Sequence, residues 1–306
     1  MEDCLQPALR FLQYALLLGL FGWAGFRVVG LRAAGWLPAQ SGRTAAIVAA
    51  GVAPIVSVGL MLASIAAMMG QPLTTLDWSM IESITLSTDM GWAFMARTAL
   101  LIAAVVALAV REDKRMSIAA ICFATALMTL GWSGHAAATE GALGLVHRIS
   151  NGVHLLAAGL WLGAIGWFVH LSIIAHRESG RLSALPLLTA IHRFAPLGVA
   201  LVAIVSATGL INAQLIFGLE NSAAAFTTSY GVLLAVKIGI VGGMLVLGAH
   251  NAWISRRSVL TNVGTEPGQE AALSALRRGL ATELALGVVV LGLVAVLGML
   301  SPMLMK

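Results

Sequence analysis

Trp132-Ser133-Gly134-His135 opens a stretch that continues, after a short polar loop, as His147-Arg148-Ile149-Ser150-Asn151-Gly152-Val153-His154 and then Leu155-Leu156-Ala157-Ala158-Gly159-Leu160-Trp161-Leu162-Gly163. About 20 consecutive apolar residues cross a bilayer as a helix, and the run over 145–174 exceeds that length. In lipid only helices and closed barrels satisfy their own backbone polar groups, and a run this long fits the helix alone. The stretch therefore reads as a transmembrane helix with His147 and Arg148 near its start and His154 further in. Ionisable groups at membrane depth are costly, and each is a functional hypothesis by default.

The same length rule, carried outward, gives eight crossings: 8–29, 44–69, 91–110, 117–132, 145–174, 194–217, 230–254 and 280–300. With 59% hydrophobic and 10% charged residues and a mean hydropathy of +0.93, the chain has too little polar surface for a soluble globule. It reads as an all-α polytopic membrane bundle, one membrane domain over 1–306, with the first four spans in 1–132 and the last four in 133–306. The first run follows Glu2 and Asp3 instead of a basic start, so it is expected to be a retained span and not a signal peptide. Cys4 and Cys122 form no Cys-x-x-Cys pair, which removes a structural zinc site or thioredoxin-like chemistry. No nucleotide-binding, hydrolytic metal or serine-nucleophile motif occurs, so an enzyme is not expected.

The net charge of +5 sits between the spans, where it sets topology and does not imply nucleic acid. Arg32 and Arg43, then Arg111, Lys114 and Arg115, then Arg177, Arg181 and Arg193, then Arg256, Arg257, Arg277 and Arg278 fall in alternate connections. The other connections, 70–90, 133–144 and 218–229, hold no lysine or arginine. The positive-inside rule then places both termini outside. His135 and His147 are expected at the outer surface with His154 below them, while His170, His176, His192 and His250 gather toward the inner face.

His147 and His154 are seven residues apart, two turns on one helix face with roughly 10 Å of rise between them. One helix cannot chelate a single ion with both. Either two sites stack along the face, or one of the pair is joined by a ligand from elsewhere, His135 first. Imidazole suits copper, zinc, iron and nickel alike. Methionine adds a soft thioether that favours Cu(I), and most methionines, Met299 and Met303 among them, fall on the outer side. Arg97, Arg148 and Lys237 also fall in the outer half and need partners, for which Asp77, Glu82 and Asp89 are nearest by depth. Lys237 and His154 come to similar depth. Glu283, at the inner end of the last span, is expected to pair with Arg278 or to accept a departing cation. Gly159, Gly163 and Gly166 put small residues on the fifth helix, the kind of face that lets membrane helices approach closely.

Ser133-Gly134-His135-Ala136, the His-x6-His pair and Leu155 to Gly163 resemble the signature of the copper-resistance protein D family, bacterial inner-membrane proteins of copper handling. Lys237, His250-Asn251 and the approach from Arg278 to Glu283 resemble it too. Where that family often carries an acidic residue, three before the second histidine, this chain has Asn151. The resemblance implies copper, Cu(I) or Cu(II), as the cargo of a multi-pass inner-membrane protein, with a periplasmic copper-resistance C-type carrier as partner. His135, His147, His154, Met299 and Met303 are the candidate ligands. Asn151, Arg148, Trp161, Lys237 and Glu283 are candidates for the path or its surroundings. A different class, a b-haem membrane oxidoreductase, would use paired imidazoles on iron and the cations Arg97, Arg148 and Lys237 on the propionates.

Overall fold

A computed structural model describes residues 2–31, 42–110, 113–177, 184–260 and 266–302. Met303, Met305, Arg32, Arg111 and Arg181 lie outside them. Ten helices follow in chain order: α1 Glu2–Val29, α2 Arg43–Met69, α3 Trp78–Ser87, α4 Asp89–Ala109, α5 Asp113–Met128, α6 Gly141–Arg177, α7 Ala184–Phe217, α8 Ser222–Ala225, α9 Ser229–Leu260 and α10 Glu266–Leu297. Short 3-10 turns over Thr129–Trp132 and Gly134–Ala136 join α5 to α6. No strand occurs among the described residues. Eight helices, all but α3 and α8, are long and apolar enough to cross a membrane, α5 doing so together with the 3-10 turn that carries it to Trp132. The protein is an all-α polytopic bundle.

Several helices run past their apolar cores. The helix read over 194–217 begins at Ala184, and that read over 280–300 begins at Glu266 and closes at Leu297. Hydropathy marks the part of a helix that lipid selects, while the turns beyond it are held by packing, through Leu187 and Leu188 of α7 and Leu273 and Leu276 of α10. α6 has 37 residues, about 55 Å at 1.5 Å per residue, so it must tilt or project from a hydrocarbon layer of about 30 Å. Pro54 and Pro196 lie inside α2 and α7 without ending them.

The connection over 70–90 is not all loop. Asp77 caps α3, its carboxylate accepting from the Ser79 amide at 3.3 Å and the Ser79 hydroxyl at 2.9 Å. Thr88 then caps α4 through the Gly91 amide at 3.1 Å. At the opposite end Arg43 donates through Nε to the Leu108 carbonyl at 2.8 Å, and its guanidinium also reaches the Val110 carbonyl. That arginine satisfies carbonyls left open where α4 ends.

Two apolar cores share α1 and α6. One gathers Leu17, Phe21, Leu101, Phe123 and Leu127 from α1, α4 and α5, with small residues of α2. The other gathers Phe26, Trp161, Phe168, Leu187 and Leu276 from α1, α6, α7 and α10. Between them α1 crosses α6 at glycines: a Cβ on Gly22 would come within 2.8 Å of the Gly163 Cα. The Trp167 indole fixes this crossing by donating to the Trp23 carbonyl at 2.9 Å. α7 and α9 bury little of their apolar windows, so they form the outer wall of the second half. Against that wall stands the polar side of α6.

Candidate functional site

His154 projects from α6 toward α7. Its Nδ1 lies 3.1 Å from the Val205 carbonyl oxygen and 3.0 Å from the Thr208 hydroxyl. A carbonyl only accepts, so Nδ1 carries the proton and donates. The Thr208 hydroxyl passes its own proton to the Ile204 carbonyl at 2.6 Å, which leaves its lone pairs to accept from the imidazole. Nε2 is then the unprotonated nitrogen, and among the described residues no hydrogen-bond partner meets it. Metal-ligating histidines are commonly held this way, one ring nitrogen donating to a carbonyl so that the other faces the ion. Gly209 keeps the approach open, since even a Cβ there would only reach van der Waals contact with the ring, at 3.7 Å from Cε1.

His135 shows the same division of labour with the nitrogens exchanged. Its Nε2 donates to the Leu297 carbonyl at 3.1 Å, at the end of α10, where that oxygen also accepts from the Leu300 amide, and its ring stands edge-on to Tyr230 at 5.7 Å. Nδ1 is left with the lone pair. His147 is 2% exposed, and its Nδ1 meets the Thr139 hydroxyl at 2.8 Å. A hydroxyl donates or accepts, so either tautomer fits. His135 and His147 lie within electrostatic range of each other, and Met299 follows Leu297 by two residues, 41% exposed. Met303 lies outside the described residues.

The three imidazoles are not gathered into one chelate. Among the described residues no group of three or more His, Cys, Asp or Glu side chains is close enough to hold one ion. His135 and His147 sit toward the end of the bundle where α10 closes, and His154 lies two turns further along α6.

The cations are handled differently from one another. Arg148 lies 3.7 Å from Asp89 and over the Trp132 ring at 5.6 Å. Because the Asp89 side chain is 78% exposed, the pair is a surface pair, worth no more than about 1 kcal/mol. Asp89→Asn is expected to lower thermal stability by less than that, with the difference vanishing in high salt; a melting series over ionic strength checks it. Arg97 is fully buried, its Nε donating to the Thr129 hydroxyl at 2.7 Å and its guanidinium over the Phe94 ring at 4.6 Å. No carboxylate reaches it among the described residues: Asp77 is spent on its cap, Asp89 on Arg148, and Glu82 is exposed. Lys237, half-buried on α9, is within electrostatic range of His154.

Glu283 accepts from the Asn251 amide at 3.2 Å, where the sequence pointed to Arg278; Arg278 is exposed. Trp161 is packed in the second core. Asn151, one turn before His154, is half-buried on α6. His250 stacks on Trp253 at 6.0 Å and His170 lies edge-on to Trp167 at 5.9 Å, while His176 is exposed. Sequence reading missed Val205, Thr208 and Thr139 as the groups that orient the imidazoles. Thr208 alone left a trace, as a hydroxyl within an apolar run.

Two family profiles match the chain. Residues 1–145 match the N-terminal domain described as copper resistance protein D-like, and residues 188–297 match copper resistance protein D. The chain is 32% identical to Copper resistance protein D of Pseudomonas syringae pv. tomato, over 99% of this chain and 98% of that one. It is 26% identical to Inner membrane protein YebZ of Escherichia coli (strain K12), over 81% of this chain and 83% of the relative. Copper transport protein CutJ of Bacillus subtilis (strain 168) is 29% identical over 56% of this chain, a match that spans 31% of the relative. No solved structure matches. With its whole length aligned to such a relative and both profiles matched in order, the chain belongs to the copper-resistance protein D family.

Proposed function

We propose that this protein binds copper and carries it across the bacterial inner membrane, with the His135 end of the bundle facing the periplasm. The observation that carries the reading is the His154 imidazole, whose Nδ1 is committed to Val205 and Thr208 and whose Nε2 is left with a lone pair. Copper is taken at the outer end by His135 and His147 with Met299 and Met303, delivered by a periplasmic copper-resistance C-type carrier, and passed to His154. Arg148, Asn151 and Trp161 flank that path.

A carrier must release what it binds, so its sites need moderate affinity. Lys237 supplies that moderation, because a cation in electrostatic range of His154 opposes a second positive charge on the ring. The absence of an acid at Asn151 acts in the same direction. Thr208→Val removes one acceptor from Nδ1 and leaves the Val205 carbonyl. Copper affinity at His154 is expected to fall about ten-fold, the lower end of what outer-shell partners contribute, and a competition titration of purified protein measures it.

Transport itself is tested by copper uptake into copper-free proteoliposomes. Wild-type protein is expected to load the vesicles well above protein-free controls. Copper binding without flux would make the protein a sensor or an assembly factor. The haem reading loses one of its propionate partners to the Arg148–Asp89 pair; a strong Soret band in the purified protein would restore it above copper.

A further inference from the structure

Glu283 is 2% exposed, inside α10. One of its oxygens, Oε2, accepts from Asn251 Nδ2 at 3.2 Å. The other, Oε1, faces Gly248 on α9, where an added Cβ would come to 3.3 Å. Asn251 is itself 3% exposed, and its Oδ1 has no hydrogen-bond partner; it abuts Gly279. No charged side chain acts on the carboxyl group among the described residues. From α9 it meets an amide and a glycine, while His250 stacks on Trp253. On α6, His170 lies against Trp167, and on its own helix Arg278 is exposed. Among the described residues the carboxyl group thus takes a donor on Oε2 alone, and the buried amide oxygen of Asn251 takes none.

Such oxygens are satisfied by water, by a metal cation or by a proton, and only the last two relieve the charge of a buried carboxylate. For a metal this carboxyl group has only the Asn251 amide oxygen beside it, and no imidazole, thiol or second carboxyl group joins them among the described residues. The close glycine contacts on either side also leave little space for an ion and its shell. A proton needs neither: an acid O–H is a donor of its own, and a neutral carboxyl is far cheaper to bury than a bare carboxylate. Arg278 stands five residues before Glu283, about 7.5 Å along the helix, so the group is within reach of water at the arginine-rich end.

We propose that Glu283, hydrogen-bonded to Asn251, binds and releases the proton that this protein exchanges for copper. The inference rests on the copper reading above. A proton from water bonds to a carboxylate oxygen, and the acid later returns it to water on the opposite side as one copper(I) ion crosses the other way. One unit charge moves in each direction, and no electron is transferred. α9 joins the two sites. Lys237 and Asn251 are 14 residues apart on it, about 21 Å of rise and within about 40° of the same face, so a shift of α9 on proton binding is felt beside His154.

The test uses the full chain in proteoliposomes holding a pH-sensitive dye, with copper(I) supplied outside under reducing conditions, and compares wild type with Glu283→Gln. Wild type is expected to move protons opposite to copper. Glu283→Gln is expected to lose at least ten-fold in copper flux driven by a pH gradient while binding copper as wild type does. Infrared difference spectra of the wild type across a pH series are expected to show a buried carboxylic-acid carbonyl band, absent from the variant. Copper flux without proton counter-movement, measured on wild type alone, overturns the exchange and leaves the copper reading standing. No copper flux in wild type overturns copper transport, and the exchange with it. Should Glu283→Gln fail to fold, the wild-type dye and infrared measurements decide the matter unaided.

Discussion

His154→Ala is expected to lower copper flux at least 100-fold while leaving the protein folded. The side chain is a half-buried group whose packing partners are a carbonyl, a hydroxyl and Gly209, so its removal costs little in apolar contact. What it takes away is the nitrogen that would bind the ion, and losing an outer-shell partner alone already costs 10 to 100-fold. The folded state is checked by thermal melting in detergent, where a shift of a few degrees is expected. Flux is read in proteoliposomes at matched protein loading. Retained flux in a folded variant would take the imidazole off the path. His135→Ala sits in a different position, because its Nε2 bond to Leu297 ties the 3-10 turn to α10, so part of any loss there is structural.

The second large effect is on the fold. Gly163→Val is expected to cost at least about 3 kcal/mol, at or above the usual range for overpacking, and to abolish a monodisperse product. A Cβ at Gly163 would overlap backbone atoms of Gly22, and one at Gly22 would come within 2.8 Å of the Gly163 Cα. A clash with a flexible side-chain tip can be relieved by rotation. This one falls on helix backbone, so α1 and α6 must part, and with them the Trp167 bond to the Trp23 carbonyl. Gly166, three residues on, has nothing within 4 Å of an added Cβ. Gly166→Ala is therefore expected to be neutral or slightly stabilising, through better helix propensity. Size-exclusion profiles and melting curves of the two variants side by side measure the contrast.

The eight crossings were readable because lipid imposes a length and a composition on any helix that spans it, and nothing else in this chain imitates them. Gly159 and Gly163 were readable as a close-packing face, though the sequence could not say that Gly22 is the partner or that Gly166 stands clear of it. Asp77 was misassigned for a physical reason: its charge and depth suited Arg148 or Arg97, while its actual use is local, on the Ser79 amide two residues away. A capping signature lay in Asp77-Trp78-Ser79 and was hidden by the expectation of a loop. Glu283 shows the reverse. Arg278 is near it in sequence, but five residues along a helix turn the two side chains to different faces, and the partner comes from α9.

The imidazoles were legible by type and spacing, and their surroundings were not. Which carbonyl of α7 faces His154 depends on helix rotation, set by packing along the whole helix, from Leu201 one turn before Val205 to Leu187 at its start. The sequence left one site or two along the face open, and the structure sets His135 near His147, with His154 two turns further along α6 and no cluster of three among the described residues. That spacing suits an ion that moves.

The most direct measurement is a metal-soaked structure of the full chain with anomalous scattering collected at the copper edge. An anomalous peak is expected within bonding distance of His154 Nε2, with Nδ1 still on the Val205 carbonyl, and a second near His135 and His147. A copper-loaded protein whose peaks avoid His154 altogether, with Nε2 bonded instead to a neighbouring side chain, would contradict the assignment of that ring as a copper ligand.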